Sequence, residues 1–285
     1  MNWKVSNVCR LFGLLSVDAL NARKYLVEDA CSLFAQSKVD PKRMQGDGWG
    51  IGYYVNDTPL LVKSPNPVYT EFDRFVSVVK GATSKLIVAH IRRASNPRGL
   101  PREKLISKEN SQPFMYGNHI FAHNGTVNIP DEVTNCLNEW RARLKGVNDS
   151  EAYFWYIMKE MENGATFPEA LQSFAETLSK LWQRSRHKYP DKKLPYIGLN
   201  TLLSDGKRLY AYCKYEKDES RQSLCFEDQP ALQMAYLTKP GSLIVSSEKT
   251  SREEDWKILG SGQLMVAQIS GRRVKIDVQE LDFKA

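Results

Sequence analysis

The clearest signal along the chain is the apolar run at 85–94 (KLIVAHIRRA), which predicts a buried strand and is followed by a polar stretch at 95–112. Residues 9–16 (CRLFGLLS) read as a second short buried strand. Leu20, Tyr25, Leu26, Ala30 and Phe34 then have the spacing of a helix face, so 17–36 is predicted helical. A loop at 37–47 leads into 48–56 (GWGIGYYVN), a strand whose glycines imply close approach by backbone or ligand, and Asp57 and Thr58 turn the chain into 60–63. Helices are predicted over 70–79, 150–162 and 168–184; before the last, Thr166 and Glu169 have capping-box spacing and Pro168 sits near the start. Short strands are predicted at 119–123, 197–203, 209–214, 235–238, 243–246, 264–269 and 274–278, with Ser-Asp-Gly at 204–206 and Gly271 as turn residues. Hairpins rather than helical crossovers join the later strands, which predicts antiparallel pairing and an α+β class with packed sheets.

Composition narrows the functional classes. The 285 residues would suit two domains of ~150 or one large one, and the lack of a repeat or a Pro/Gly/Ser-rich linker favours a single domain over 9–285. No apolar run approaches the ~18 residues of a membrane span, and 1–8 has no apolar core of a secretory signal, so a cytoplasmic protein without a membrane partner is expected. Forty Lys and Arg against 33 Asp and Glu leave +7, a mild excess with both signs interleaved, and no aromatic-basic motif accompanies it, so nucleic acid is not an expected partner. Five cysteines, Cys9, Cys31, Cys136, Cys213 and Cys225, are irregularly spaced without a CxxC pair, so most are expected to be reduced, inert core residues. No metal site and no cofactor is expected: there is no Walker sequence, and Gly48, Gly50 and Gly52 without a following helix are no dinucleotide fingerprint.

Singly, the remaining features have ordinary explanations. Cys9 on an apolar strand reads as a buried thiol, His90 as a satisfied core histidine, Asn124-Gly125 as a turn, and 184–193 as a solvated basic loop. Their order changes the weighting: CRLFGLLS, DGWGIGYY, AHIRRAS, NSQPF, AHNGTV, then NDSE opening a helix. This series resembles the class II glutamine amidotransferases, a branch of the N-terminal-nucleophile (Ntn) hydrolases, and within them the stand-alone YafJ type. The later LNTLLSDGKRLYAYC and the Ser246-Ser247 and Trp256-Lys257 segments extend the resemblance from Cys9 to about Val278.

The resemblance implies a four-layer αββα Ntn sandwich with two antiparallel sheets. It implies that Cys9 attacks the side-chain amide of glutamine, using its own α-amine as base, releases ammonia and leaves a γ-glutamyl thioester for water. An α-amine with an ordinary pKa near ~8 can accept a proton at neutral pH, so no second side chain is required. The Asn124 amide and the Gly125 N–H would form the oxyanion hole. Arg92, with Ser95, would bind the substrate α-carboxylate, although Arg93 is an alternative and Arg92 is also readable as a plain ion pair. Asp149 would take the α-ammonium, cap the following helix, or do both, with Ser150 as the other candidate cap. Gly48 would line the pocket, with Trp49 as a wall.

Three departures stand out. Eight residues, MNWKVSNV, precede Cys9. They are expected to be a short propeptide or, the favoured reading, a start placed too early, since Val8 falls where an initiator would. Gln112 stands where relatives often have His, at the expected pocket rim. No acceptor domain follows, so any ammonia acceptor is expected to be bound by a separate protein. Two other functions stay open: hydrolysis of a γ-glutamyl compound such as glutathione, by analogy with an amidotransferase-like subunit of a fungal glutathione-degrading complex, and a non-catalytic glutamine-binding module.

Overall fold

The computed structural model describes residues 9–216 and 223–281; the expected extension at 1–8 lies outside the described residues. Thirteen strands are described: β1 (Arg10–Asn21), β2 (Trp49–Val55), β3 (Thr58–Ser64), β4 (Thr83–Ile91), β5 (Phe114–Tyr116), β6 (His119–Val127), β7 (Tyr196–Ser204), β8 (Arg208–Cys213), β9 (Met234–Lys239), β10 (Ser242–Ser246), β11 (Lys257–Leu259), β12 (Gln263–Ser270) and β13 (Arg273–Glu280). The helices are α1 (Leu33–Gln36), α2 (Phe72–Gly81), α3 (Arg102–Leu105), α4 (Pro130–Asn135), α5 (Asp149–Glu162) and α6 (Phe167–Ser185).

The strands form two antiparallel sheets, seven-stranded in the order β11-β9-β10-β1-β4-β2-β3 and six-stranded in the order β13-β12-β8-β7-β6-β5. Strand alternation sorts the side chains into layers. Leu11 and Leu15 of β1 meet Val88, Ala122, Leu202 and Met265 between the sheets. Phe12 and Leu14 point the other way, to Phe75 and Val79 of α2. On the far side, Tyr153, Phe154 and Phe174 of α5 and α6 pack on Phe121, Leu203 and Tyr212. The result is a four-layer αββα sandwich, the architecture that the resemblance implies.

The capping box forms: the Thr166 N–H donates to Glu169 Oε2 at 2.7 Å, and the Glu169 N–H reaches Thr166 Oγ1 at 3.5 Å. The first hairpin turns on Asn56 and Asp57, both with left-handed φ of 49° and 61°, one residue earlier than expected because Thr58 already pairs with Val55. The helix expected over 17–36 is not there. β1 runs on to Asn21 past a bulge, pairing Leu20 with Ser84 and Asn21 with Thr83. A π-turn at Lys24–Glu28 and the single turn of α1 follow. Leu20, counted as part of a helix face, is 41% exposed. Backbone pairing to β4 outweighs the apolar periodicity here.

Cysteine use also differs in one respect. Cys9, Cys136 and Cys213 are free thiols, but Cys31 and Cys225 form a disulfide across 194 residues of sequence. Among the described residues no helix is long and apolar enough to cross a membrane.

Candidate active site

One end of the seven-stranded sheet gathers most of the expected site residues, because of where the central strands start and stop. The register Arg10↔Ile91 sets Cys9, just before β1, across from Arg92, just after β4. The Cys9 thiol is buried and directed at the Arg93 carbonyl oxygen, 3.4 Å away. Burial pushes this thiol up to about 11, against the opposing pull of the Arg93 backbone contact and the Arg92 charge, while Asp149 adds to the rise. At neutral pH only about 1 in 10⁴ such thiols is ionised, so nucleophilic work would require a base at the sulfur.

Arg92 is almost fully buried, and its Nη1 donates to the carbonyls of Leu105 (2.7 Å) and Asp47 (3.2 Å). Its backbone N–H donates to Gly48 O at 2.8 Å. The Asp47 carboxylate accepts the Ala94 N–H at 2.7 Å and Arg102 Nη2 at 2.5 Å, which ties the turn after β4 to the loop before β2. Gly48 has φ +120°, and a Cβ there would lie 2.4 Å from Ser111 Oγ. Only glycine fits this bend against the 107–113 loop.

The six-stranded sheet contributes Asn124 and Gly125 from β6. Gly125 is pressed against the neighbouring strand: a Cβ would fall 1.9 Å from Gly198 O. Asn124 is buried; its Nδ2 donates to Ser247 Oγ at 3.4 Å, and its Oδ1 has no partner among the described residues. Ser247, just past β10, also accepts the Leu11 N–H at 2.8 Å, so one hydroxyl links the strand that follows Cys9 to Asn124. Asp149 opens α5, but the cap is Asn148, whose side chain accepts the Ser150 N–H at 3.0 Å. Asp149 is thereby released for other work. Its Oδ1 accepts the Ser95 hydroxyl at 2.9 Å and its Oδ2 the Val127 N–H at 2.8 Å.

Two histidines lie beneath this surface. His123 Nε2 meets the Gly198 carbonyl at 3.0 Å and Nδ1 meets Ser150 Oγ at 2.8 Å. A carbonyl only accepts, so Nε2 carries the hydrogen and Nδ1 receives the serine hydroxyl. His90 has no partner for either ring nitrogen among the described residues. Burial depresses both pKa values, that of His90 strongly. Protons bind the unfolded chain first as pH falls below about 6.5, so stability is full above that value and drops below it. The expected loss approaches about 1.4 kcal/mol per pH unit for His90, whose depression is the stronger, and His123 adds to it in the same direction. Urea unfolding at pH 7.5 and 5.5 measures it, and equal stabilities would show that neither ring is held neutral.

The family whose description is "Glutamine amidotransferases class-II" matches residues 27–282. The chain belongs to this family. Among curated relatives, the probable glutamine amidotransferase DUG3 of Saccharomyces cerevisiae is 27% identical over 172 residues, covering 54% of this chain and 46% of the relative. YafJ of Escherichia coli is 28% identical over 172 residues, covering 59% of this chain and 60% of the relative. A γ-glutamyl-hercynylcysteine sulfoxide hydrolase of Mycobacterium tuberculosis is 31% identical over 125 residues, 42% of this chain and 50% of the relative. The chain thus matches 46% to 60% of the length of these relatives. A glutamine aminotransferase class-II domain protein from Silicibacter pomeroyi shares the fold, with a TM-score of 0.62 at 18% identity, covering 96% of this chain and 100% of that one.

Within this family fold, two expectations about the pocket lining need correction. Trp49 is not a pocket wall: alternation along β2 sends its indole to the outer face, where Nε1 donates to Glu71 at 2.8 Å and the ring meets Phe75 edge-on at 5.3 Å. Gln112 is not on a rim. It is buried and grips the His123 backbone with both amide ends, at 2.7 and 3.1 Å. Asp47, Arg10 and Glu248 were not singled out in the sequence, and Ser247 appeared only within a matching segment.

Proposed function

We propose that the protein hydrolyses the side-chain amide of glutamine with Cys9 as nucleophile, working with its own α-amine once residues 1–8 are removed or are not translated. The observation that carries this reading is the placement of Cys9 opposite Arg92 through the β1–β4 register, with Asp149 and the Ser247–Asn124 contact closing the same end of the sandwich. The amine takes the thiol proton as sulfur attacks the amide carbon, and returns it to the departing nitrogen as ammonia. Water then cleaves the thioester, the amine again accepting the proton, to give glutamate. Arg92 receives the α-carboxylate, and Asp149, already steadied by Ser95 and Val127, receives the α-ammonium.

The oxyanion falls to the Gly125 N–H and Asn124 Nδ2. Turning the Asn124 amide by 180° lets the Ser247 hydroxyl donate to the otherwise unpartnered Oδ1 and frees Nδ2 for the substrate. Ser247→Ala is accordingly expected to lower kcat about 10-fold, and Asn124→Ala about 100-fold or more. Steady-state kinetics check both; an unchanged Ser247→Ala enzyme removes the hydroxyl from this role.

The test of the function is ammonia release from glutamine by protein whose intact mass begins at Cys9. Protein of that mass, folded and without turnover, would leave a glutamine-binding module. A γ-glutamyl compound in place of glutamine is the second reading, favoured by the γ-glutamyl hydrolase among the relatives. Parallel assays on glutamine and glutathione distinguish them. An acceptor for the ammonia, held by a separate protein, completes the proposal.

A further inference from the structure

Arg10 makes an ion pair that the proposed chemistry does not use. Its Nη1 donates to the Cys9 carbonyl oxygen at 3.0 Å, and its Nη2 meets Glu248 Oε1 at 3.1 Å. Both side chains are 4% exposed, and Arg10 Nε has no acceptor among the described residues. A buried ion pair is a poor source of stability, because desolvating two charges offsets their attraction. Fixing the Cys9 carbonyl, by contrast, fixes the plane from which its α-amine and thiol project.

Glu248 is held in turn. Its Oε1 accepts the Leu224 N–H at 2.7 Å, and its Oε2 accepts the Ser223 hydroxyl at 2.5 Å and the Cys225 N–H at 3.0 Å. Cys225 is bonded to Cys31, whose own N–H donates to Thr250 O at 3.1 Å. Cys31, Cys225 and Glu248 converge closely enough to suggest a cation site. The sulfur–sulfur bond and the four donors already on Glu248 make the cluster a clasp instead.

We propose that Arg10 and Glu248 are positioning residues for Cys9, and that the Cys31–Cys225 disulfide is the latch that keeps them aligned, so that reduction by a thiol slows the enzyme. One dithiothreitol supplies the electrons: its two S–H bonds give two electrons and two protons, it closes to a cyclic disulfide, and Cys31 and Cys225 become thiols. The 223–225 loop then loses its covalent anchor, Glu248 its fixed donors, and Arg10 its bearing. A small misplacement of a reacting group costs up to ~100-fold in rate.

This inference rests on Cys9 as the glutamine nucleophile, so the experiment reads Cys9 twice: by kcat and KM for glutamine, and by its alkylation rate with iodoacetamide, resolved by peptide mass. Reduction, Glu248→Gln and Arg10→Lys are each expected to lower kcat about 10-fold with little change in KM, and to change the alkylation rate in the same order. Reoxidation should restore the wild-type rate, and a folded Cys31→Ser/Cys225→Ser form should be slow and indifferent to dithiothreitol. The pH profile separates positioning from bulk structure. The Arg10 cation disfavours the protonated α-amine, so Arg10→Gln raises that pKa and moves the acid limb to higher pH, whereas Arg10→Lys keeps the limb in place. Reduction that leaves both turnover and Cys9 alkylation unchanged overturns the latch, even if Glu248→Gln fails to fold. If no form turns over glutamine but alkylation still responds to reduction, the substrate reading fails and the latch stands.

Discussion

Replacing Cys9 by alanine is expected to lower glutamine hydrolysis by at least ~10⁴-fold, while the protein unfolds with nearly its normal midpoint. Loss of a nucleophile leaves only the rate that binding and the oxyanion donors supply, well below the intact enzyme. The structural cost is small because Cys9 precedes β1 and its thiol makes one long contact, to the Arg93 carbonyl at 3.4 Å. Cys9→Ser is expected to fall by at least ~100-fold, since a hydroxyl is the poorer nucleophile. The other free thiols are unsuited to take over: burial pushes Cys213 up to about 12 and also raises Cys136. Glutamate release and urea midpoints, measured on the same preparations, decide the matter. Retention of a tenth of wild-type turnover by Cys9→Ala would send the search to another nucleophile.

The second large effect is structural and concerns Gly125 and Gly198, which touch across β6 and β7 one step off register. At Gly125 a methyl group would meet Gly198 O at 1.9 Å, Gly198 C at 2.3 Å and His123 Nε2 at 2.8 Å. Two central strands cannot separate there without breaking the ladder on either side, so Gly125→Ala is expected to cost at least ~3 kcal/mol. At Gly198 the nearest atoms to a methyl group are at 3.5 Å, an ordinary contact. Gly198→Ala should therefore cost less than ~1 kcal/mol. Denaturant unfolding of the pair checks the asymmetry, and equal costs would mean that the β6–β7 spacing is softer than described. Gly125 is thus required by its neighbouring strand in addition to any role its N–H has toward substrate.

The sequence showed the sheets well and their connections less well. The KLIVAHI part of the 85–94 run became the body of β4, which starts two residues earlier and stops at Ile91, because both faces of the strand are buried over 86–91 and leave an uninterrupted apolar run. The Thr166–Glu169 box was legible because capping is local chemistry. The stretch after Ser16 misled because an exposed strand end has no periodicity of its own, while Leu20, Tyr25 and Leu26 supplied a helical one by coincidence. Trp49 shows the limit of motif reading: its place in DGWG was found, but the parity of β2 decides which face it takes. The Cys31–Cys225 bond, the Arg10–Glu248 pair and the Ser247 bridge join positions 194, 238 and 123 residues apart, and no local pattern encodes such pairings.

The position of β1 also bears on when the protein becomes active during its synthesis. The strand after Cys9 is flanked by β4, some 80 residues downstream, and by β10, whose Phe12↔Ser246 pairing waits for more than 230 further residues. Arg92, Asp149 and Asn124 leave the ribosome well before Ser247 and Glu248 do. The emerging chain therefore carries Cys9, the proposed nucleophile, beside a strand paired on one side only until β10 is made, and the Ser247 and Glu248 contacts close over the first strand last.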